Sequence, residues 1–246
     1  MKKKRRIPLI AKVALCVLVS IVLVIGGVAA VFMVELGKMS PLPTGEVIPG
    51  CYAVRNATAN FYLLAGDDGY LMIDAGGSQK ATASVLEELG IRADDVRAIL
   101  LTHSDGDHVG ALPLFPNAQV YLSEQEVRMV DGTTSRNFLG GNSLPVAYQT
   151  IVGGEVIELA GFSVRCILTP GHTPGSMCYL VDGQYLFTGD NLSLRDGKVG
   201  LFNSFFNMDD GVQRASIAML EETVRPAYIF TAHHGYSDDP VAAFAE

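Results

Sequence analysis

The five histidines of this 246-residue chain fall in only three short turns, and each turn follows an apolar, strand-like segment. His103 and His108 lie in Leu101-Thr-His-Ser-Asp-Gly-Asp-His-Val-Gly-Ala111. His172 lies in Pro170-Gly-His-Thr-Pro-Gly175, and His233 and His234 in Thr231-Ala-His-His-Gly235. A fourth turn, Phe187-Thr-Gly-Asp190, ends on a carboxylate. A strand end fixes the position of a side chain and lets neighbouring loops converge. The pattern therefore asks for a fold in which several strands finish at one place. Imidazole suits zinc, iron and related metals, and carboxylates suit harder ones. A metal centre is the chemistry this collection of side chains serves best.

The intervening sequence supplies strands and helices to match. Cys51–Val54, Phe61–Leu64 and Tyr70–Asp74 are β-rich runs parted by Asn, Gly and Asp turns. Residues 78–90 have helical spacing, with Ser78 as N-cap and Gly90 as stop. Further strands are predicted over 96–101, 118–122, 163–168, 184–188 and 228–231, and helices over 123–130, 209–224 and from Pro240. A short helix is expected to open at Asp107 or His108. Early strands, a helix, more strands and a late helix point to stacked sheets with helices outside.

The N-terminus obeys a different logic. Residues 1–12 carry six Lys/Arg and no acid, and Val13–Val34 runs 22 residues without a charge. At 1.5 Å per residue that run is about 33 Å long, enough to cross a bilayer core. We read residues 1–36 as a basic cytoplasmic flank and transmembrane anchor, 37–45 as a linker and 46–246 as the catalytic domain. A cleaved signal peptide is the competing reading; its apolar region is usually shorter, about 7–15 residues. The basic flank should stay in the cytoplasm, placing the domain outside. Beyond the flank, 12 basic residues stand against 26 acidic ones, a balance near −14 that repels nucleic acid. Three cysteines, Cys51, Cys166 and Cys178, follow the apolar run that holds Cys16, so one disulfide is open to the domain without a readable pairing.

Taken in order, the HxHxDH-type loop at 103–108, the isolated Gly171-His-Thr-Pro-Gly-Ser176, the strand-end Thr188-Gly-Asp190 and the final histidines resemble the metallo-β-lactamase superfamily. Asp74-Ala-Gly-Gly77 also resembles the family's early aspartate motif. The likeness covers roughly residues 46–240 and implies an α/β fold, an αββα sandwich with a metal centre at one edge. It implies His103 and His172 at a first metal, Asp107 and His108 at a second, and Asp190 bridging the two. The final ligand is His233 if Ala232 fills the small-residue position before it, or His234 if the His-Gly pair is the match. Asp74 would orient ligands from behind.

Asp105 departs from the pattern, since the family usually has histidine there. It is either a solvent-facing loop residue beside a weakened first site or a carboxylate ligand that shifts preference toward iron or manganese. Two zinc ions are the expected cofactors otherwise. The chemistry expected is hydrolysis of an ester, lactone, lactam, thioester or phosphodiester bond in a small molecule, with Asp107 orienting the nucleophile or moving a proton. The alternatives are a non-haem diiron oxidoreductase, which needs an electron partner the chain does not itself supply, and a non-catalytic metal-binding ectodomain. There is no Gly-x-Ser-x-Gly elbow and no Walker-type loop. Phe202, Phe205 and Phe206 either wall the metals or pack beneath the following helix, and residues 131–145 are placed to cover the opposite side.

Overall fold

The computed structural model describes residues 8–136 and 142–245. Most of the basic flank, residues 1–7, and the middle of the 131–145 loop, residues 137–141, lie outside the described residues. The chain divides into two units, Met1–Met39 and Ser40–Glu246. The first is built on a single helix, α1 (Leu9–Gly37), with mean hydropathy 2.9 over its most apolar window and no buried residue. Its length and composition are those of a membrane-crossing helix, and equally those of a signal sequence.

The second unit holds two facing sheets. The first sheet runs β1 (Gly45–Ile48), β2 (Cys51–Asn56), β3 (Ala59–Gly66), β4 (Gly69–Ile73), β5 (Val96–Leu100), β6 (Gln119–Ser123) and β7 (Gln149–Ile151), in that spatial order. It is antiparallel up to β4 and parallel from β4 to β7. Helix α2 (Gln79–Glu88) crosses from β4 to β5, with Ser78 Oγ accepting from Ala81 N as the sequence leads one to expect. The short α3 (Gly106–Val109) follows β5, and α4 (Val127–Val130) follows β6. Only one α-helical turn forms where the pattern predicts a helix over 123–130, because residues 124–126 make a 3₁₀ turn first.

The second sheet, counted across, is β15-β14-β11-β10-β9-β8. Its strands are β8 (Val156–Leu159), β9 (Phe162–Leu168), β10 (Met177–Val181), β11 (Tyr185–Phe187), β14 (Tyr228–Phe230) and β15 (Tyr236–Ser237). A hairpin of β12 (Ser193–Arg195) and β13 (Lys198–Gly200) leads into α5 (Asp210–Thr223), capped by Asp209, and α6 (Pro240–Phe244) ends the chain. Three apolar layers follow. Tyr62, Leu64, Leu100 and Tyr121 of one sheet meet Cys166, Tyr179, Phe187 and Phe230 of the other. Leu86 of α2 covers the outer face of the first sheet, and Leu220 of α5 covers that of the second. This is the expected αββα sandwich.

The segment read as a linker is partly built into the domain. Ser40 N donates to the carbonyl of His233 at 2.7 Å, and Leu42 exchanges two hydrogen bonds with the Asn60 side chain. The cysteines are free thiols. Cys51, Cys166 and Cys178 are buried, and burial pushes each up to about 12.

Two tyrosines lock the sheets together where the site begins. Tyr62, on β3, donates to the carbonyl of Thr231 beyond β14, and Tyr179, on β10, donates to that of Leu101 beyond β5, both at 2.6 Å. Each hydroxyl thus crosses the core to grip the strand end of the opposite sheet. A buried carbonyl deprived of its partner costs about 1–3 kcal/mol. Tyr62→Phe and Tyr179→Phe should each lower stability by about that amount, read as a drop in the midpoint of thermal unfolding.

Candidate metal centre

Each candidate side chain is delivered by the end of a strand. Asp74 follows β4, and Thr102 to His108 follow β5. His172 sits in the β9–β10 turn, Asp190 follows β11, and His233 follows β14. Two glycines permit the loops to close on one another. A Cβ at Gly189, where φ is +53°, would lie 2.4 Å from Thr102 Oγ1, and one at Gly175 would lie 2.1 Å from the backbone nitrogen of Glu126.

Four imidazoles converge, and their back sides are all committed. His108 Nδ1 is 2.8 Å from Asp74 Oδ2, His233 Nδ1 is 2.7 Å from the carbonyl of Thr58, and His172 Nδ1 is 3.2 Å from Asn207 Oδ1. Thr102 Oγ1 donates to Asp74 Oδ2 at 2.8 Å, which leaves it free to accept from His103 Nδ1 at 3.0 Å. Every one of these partners accepts, so each Nδ1 carries hydrogen and each Nε2 is the nitrogen left for the centre. Asp74, as expected, orients from behind; its φ of +61° shows the backbone bent to place that carboxylate.

Asp190 stands between two groups. Its Oδ2 lies 3.5 Å from His172 Nε2 and 3.9 Å from His103 Nε2; its Oδ1 lies 3.1 Å from His233 Nε2 and 3.4 Å from His108 Nε2. Two sets of donor atoms result, each within 4.8 Å: His103, His172 and Asp190, and Asp107, His108 and His233. Among the described residues, His103 Nε2, His108 Nε2 and Asp190 Oδ1 are buried with no hydrogen-bond partner. Orphaned buried donors and acceptors are costly, and metal cations in the two sets would satisfy all three. The residues therefore fit one or two metals of the imidazole-preferring kind.

His233, not His234, is the histidine brought to the centre. Both ring nitrogens of His234 are buried without a hydrogen-bond partner among the described residues. Burial, with Arg195 and His233 nearby, holds it down to about 4 and so neutral. Asp107 is half exposed at the rim, its Oδ2 3.6 Å from His233 Nε2 and 3.9 Å from that of His108. Of the aromatic run, Phe202 is the residue that reaches the ligands. It is buried, with its ring 5.3 Å from those of His172 and His233, and so backs the ligands. Phe205 is exposed.

The chain belongs to the metallo-beta-lactamase superfamily. The superfamily's model matches residues 55–233, which includes every group of the centre. The sequence is 36% identical over 155 residues to the uncharacterized protein YobT of Bacillus subtilis (strain 168), covering 56% of this chain and 64% of that one. It is 39% identical over 110 residues to the probable polyketide biosynthesis zinc-dependent hydrolase BaeB of Bacillus velezensis, covering 44% and 42%. The aligned stretch thus spans less than two thirds of either relative. Among solved structures, the Cronobacter sakazakii metallo-beta-lactamase with a HARLDQ motif superposes with a TM-score of 0.62 at 26% identity, covering 81% of each chain.

Several groups around this superfamily centre escaped the sequence reading. Glu126 is fully buried; its Oε1 accepts from Ser104 N (3.0 Å) and Oγ (2.6 Å), and its Oε2 from Thr173 Oγ1 (2.6 Å) and Gly175 N (3.1 Å). One carboxylate thus clasps the His103 loop to the His172 loop. Arg136 and Asn142 reach back from the 131–145 loop onto Asp105, at 2.6 Å and 2.9 Å. A signal for Arg136 was available: it is the sole Lys or Arg between Arg128 and Arg165. Glu126 had none, since its partners come from two distant turns.

The carboxylates and imidazoles of the centre set one another's charge. Burial works to raise the Asp190 carboxyl, but His233 and His108 overcome it and hold it well below the usual carboxylate range. Asp105 is held low in the same way, by His103 and His172. Burial lowers His108 and His233, yet the carboxylates around them prevail, Asp74 and Asp190 foremost for His108 and Asp190 for His233, so both end above 6.5. In the metal-free protein those two rings therefore hold protons that must leave when metal binds. Metal affinity should rise with pH through neutrality and keep rising above 6.5; dialysis at about pH 5 should strip metal that dialysis at about pH 8 retains, followed by elemental analysis. Glu126→Gln, which turns an NH₂ toward donors the carboxylate satisfied, should cost about 2–4 kcal/mol in thermal unfolding.

Proposed function

We propose that this chain is a membrane-anchored, metal-dependent hydrolase acting on a small molecule. The observation that supports it most is the convergence of four Nε2 atoms and both oxygens of Asp190 on one buried space, three of those atoms otherwise orphaned. His103, His172 and Asp190 would hold one metal, and Asp107, His108, His233 and Asp190 a second. When bound, such metals supply Lewis acidity and a water acidic enough to ionise near neutral pH. The zinc-dependent hydrolase among the relatives favours zinc.

The remaining chemistry belongs to the chain. Asp74, Thr102, Asn207 and the Thr58 carbonyl keep the four rings in one tautomer, so the donor set needs little rearrangement before turnover. Asp107 is the carboxylate of the centre open to solvent, and it would orient the attacking nucleophile or take its proton and release it outward. The surplus of acid beyond the N-terminal flank works against polyanions, so an ester, lactone, lactam or thioester is favoured over a phosphodiester within nucleic acid. The diiron oxidoreductase alternative drew on Asp105 as a ligand; its Oδ2 lies 3.1 Å from His172 Nε2 and 3.4 Å from His103 Nε2 and is also engaged by Arg136, so what favours hydrolysis is the zinc-dependent hydrolase among the relatives. Helix α1 would anchor the chain, with the basic flank in the cytoplasm and the domain outside.

Asp190→Ala in the full chain should lose at least one bound metal by elemental analysis and all hydrolysis across a panel of ester, lactone, lactam and thioester substrates. Undiminished metal content in that variant would refute the shared ligand.

A further inference from the structure

One cation at the centre is part of the chain. Arg136 enters from the loop after α4, and its side chain is about three quarters buried, with 26% exposed. Its Nη1 donates to Asp105 Oδ2 at 2.6 Å. Its Nη2 lies 3.2 Å from His172 Nε2 and donates to the carbonyl of His172 at 3.3 Å. Asn142 Nδ2 donates to the other Asp105 oxygen at 2.9 Å and to Ser104 Oγ at the same distance. The pair is thus seated on the His103 and His172 loops at once.

The contact with His172 has a chemical consequence. His172 Nδ1 faces an acceptor, Asn207 Oδ1, while Nε2 faces both the Arg136 donor and Asp105 Oδ2, 3.1 Å away; the tautomer that serves a metal keeps its hydrogen on Nδ1 and its lone pair on Nε2. That lone pair can meet an arginine N–H or a metal, not both. A zinc ion bound there would sit about 2.0–2.1 Å from Nε2, in the space the guanidinium now approaches, and the two are like charges. Asp105 Oδ2 also lies 3.1 Å from His172 Nε2 and 3.4 Å from His103 Nε2, so the carboxylate that would offset a first-site cation is shared with Arg136.

We propose that Arg136 is a built-in competitor for the first metal site. Held by Asp105, its guanidinium takes the lone pair of His172 and weakens the His103, His172 and Asp190 set. The Asp107, His108 and His233 set lies on the other oxygen of Asp190 and keeps its affinity. This inference rests on the metal-centre reading above. The protein then holds one metal firmly and admits a second only when Arg136 withdraws, so the number of metals per chain follows metal supply. Arginine suits the role because its planar fork meets carboxylate and imidazole together, which an ammonium does not.

Calorimetric titration of the metal-free full chain in detergent micelles with Zn²⁺ tests this. Wild type should show two classes of site separated by at least about tenfold, and Arg136→Met should tighten the weaker class by at least about tenfold while leaving the tighter one within about twofold. Arg136→Lys should fall between, and adding His172→Ala to Arg136→Met should abolish the gained class. Circular dichroism of each variant confirms that it is folded. Two equal classes in wild type, or an unchanged weak class in Arg136→Met, would overturn the competitor while leaving the metal centre standing. No zinc bound by any variant, Arg136→Met included, would overturn both.

Discussion

The centre depends on one buried carboxylate. Asp74 accepts from Thr102 N and Oγ1 and faces His108 Nδ1, all at 2.8 Å, so it joins the end of β4 to the end of β5 and orients two histidines. It reaches His108 directly and His103 through the Thr102 hydroxyl. Such an anion is tolerable in the interior because every bond it makes is to a donor. Its positive φ is the backbone cost of aiming it, about 1–3 kcal/mol for a residue held in that region. Glu126 repeats the device one strand along, joining the His103 loop to the His172 loop.

These carboxylates explain why a site made of loops can be exact. A loop fixed only by its own turn geometry places a ligand loosely. Here three of the four histidines are fixed from behind by a partner on another segment and His103 by its neighbour Thr102, itself held by Asp74, and the segments are gripped across the core by Tyr62 and Tyr179. The sheets therefore set the spacing of the ligands, and the polar contacts set their orientation. Phe202 fills the remaining gap beneath His172 and His233.

Much of this was legible in the residues. Alternating apolar runs located β2 to β5 closely, and Ser78 and Asp209 marked the helix starts at which they indeed act as caps. The histidine turns named the groups that converge, because metal ligands are scarce residue types concentrated by need. What stayed hidden was of another kind. The choice between His233 and His234 depends on which ring a turn rotates inward. The role of Glu126 depends on two loops 22 and 47 residues away from it meeting in space. The pairing of Asp105 with Arg136 is likewise a long-range contact, which neither period nor spacing encodes.

The buried thiols carry a consequence for the domain's chemistry. With Cys51, Cys166 and Cys178 pushed up to about 12 by burial, the thiols stay protonated at neutral pH. Disulfide exchange begins from the thiolate and needs access to it. The three thiols are therefore slow partners in disulfide exchange, and the sandwich is held by packing and hydrogen bonds with its cysteines free.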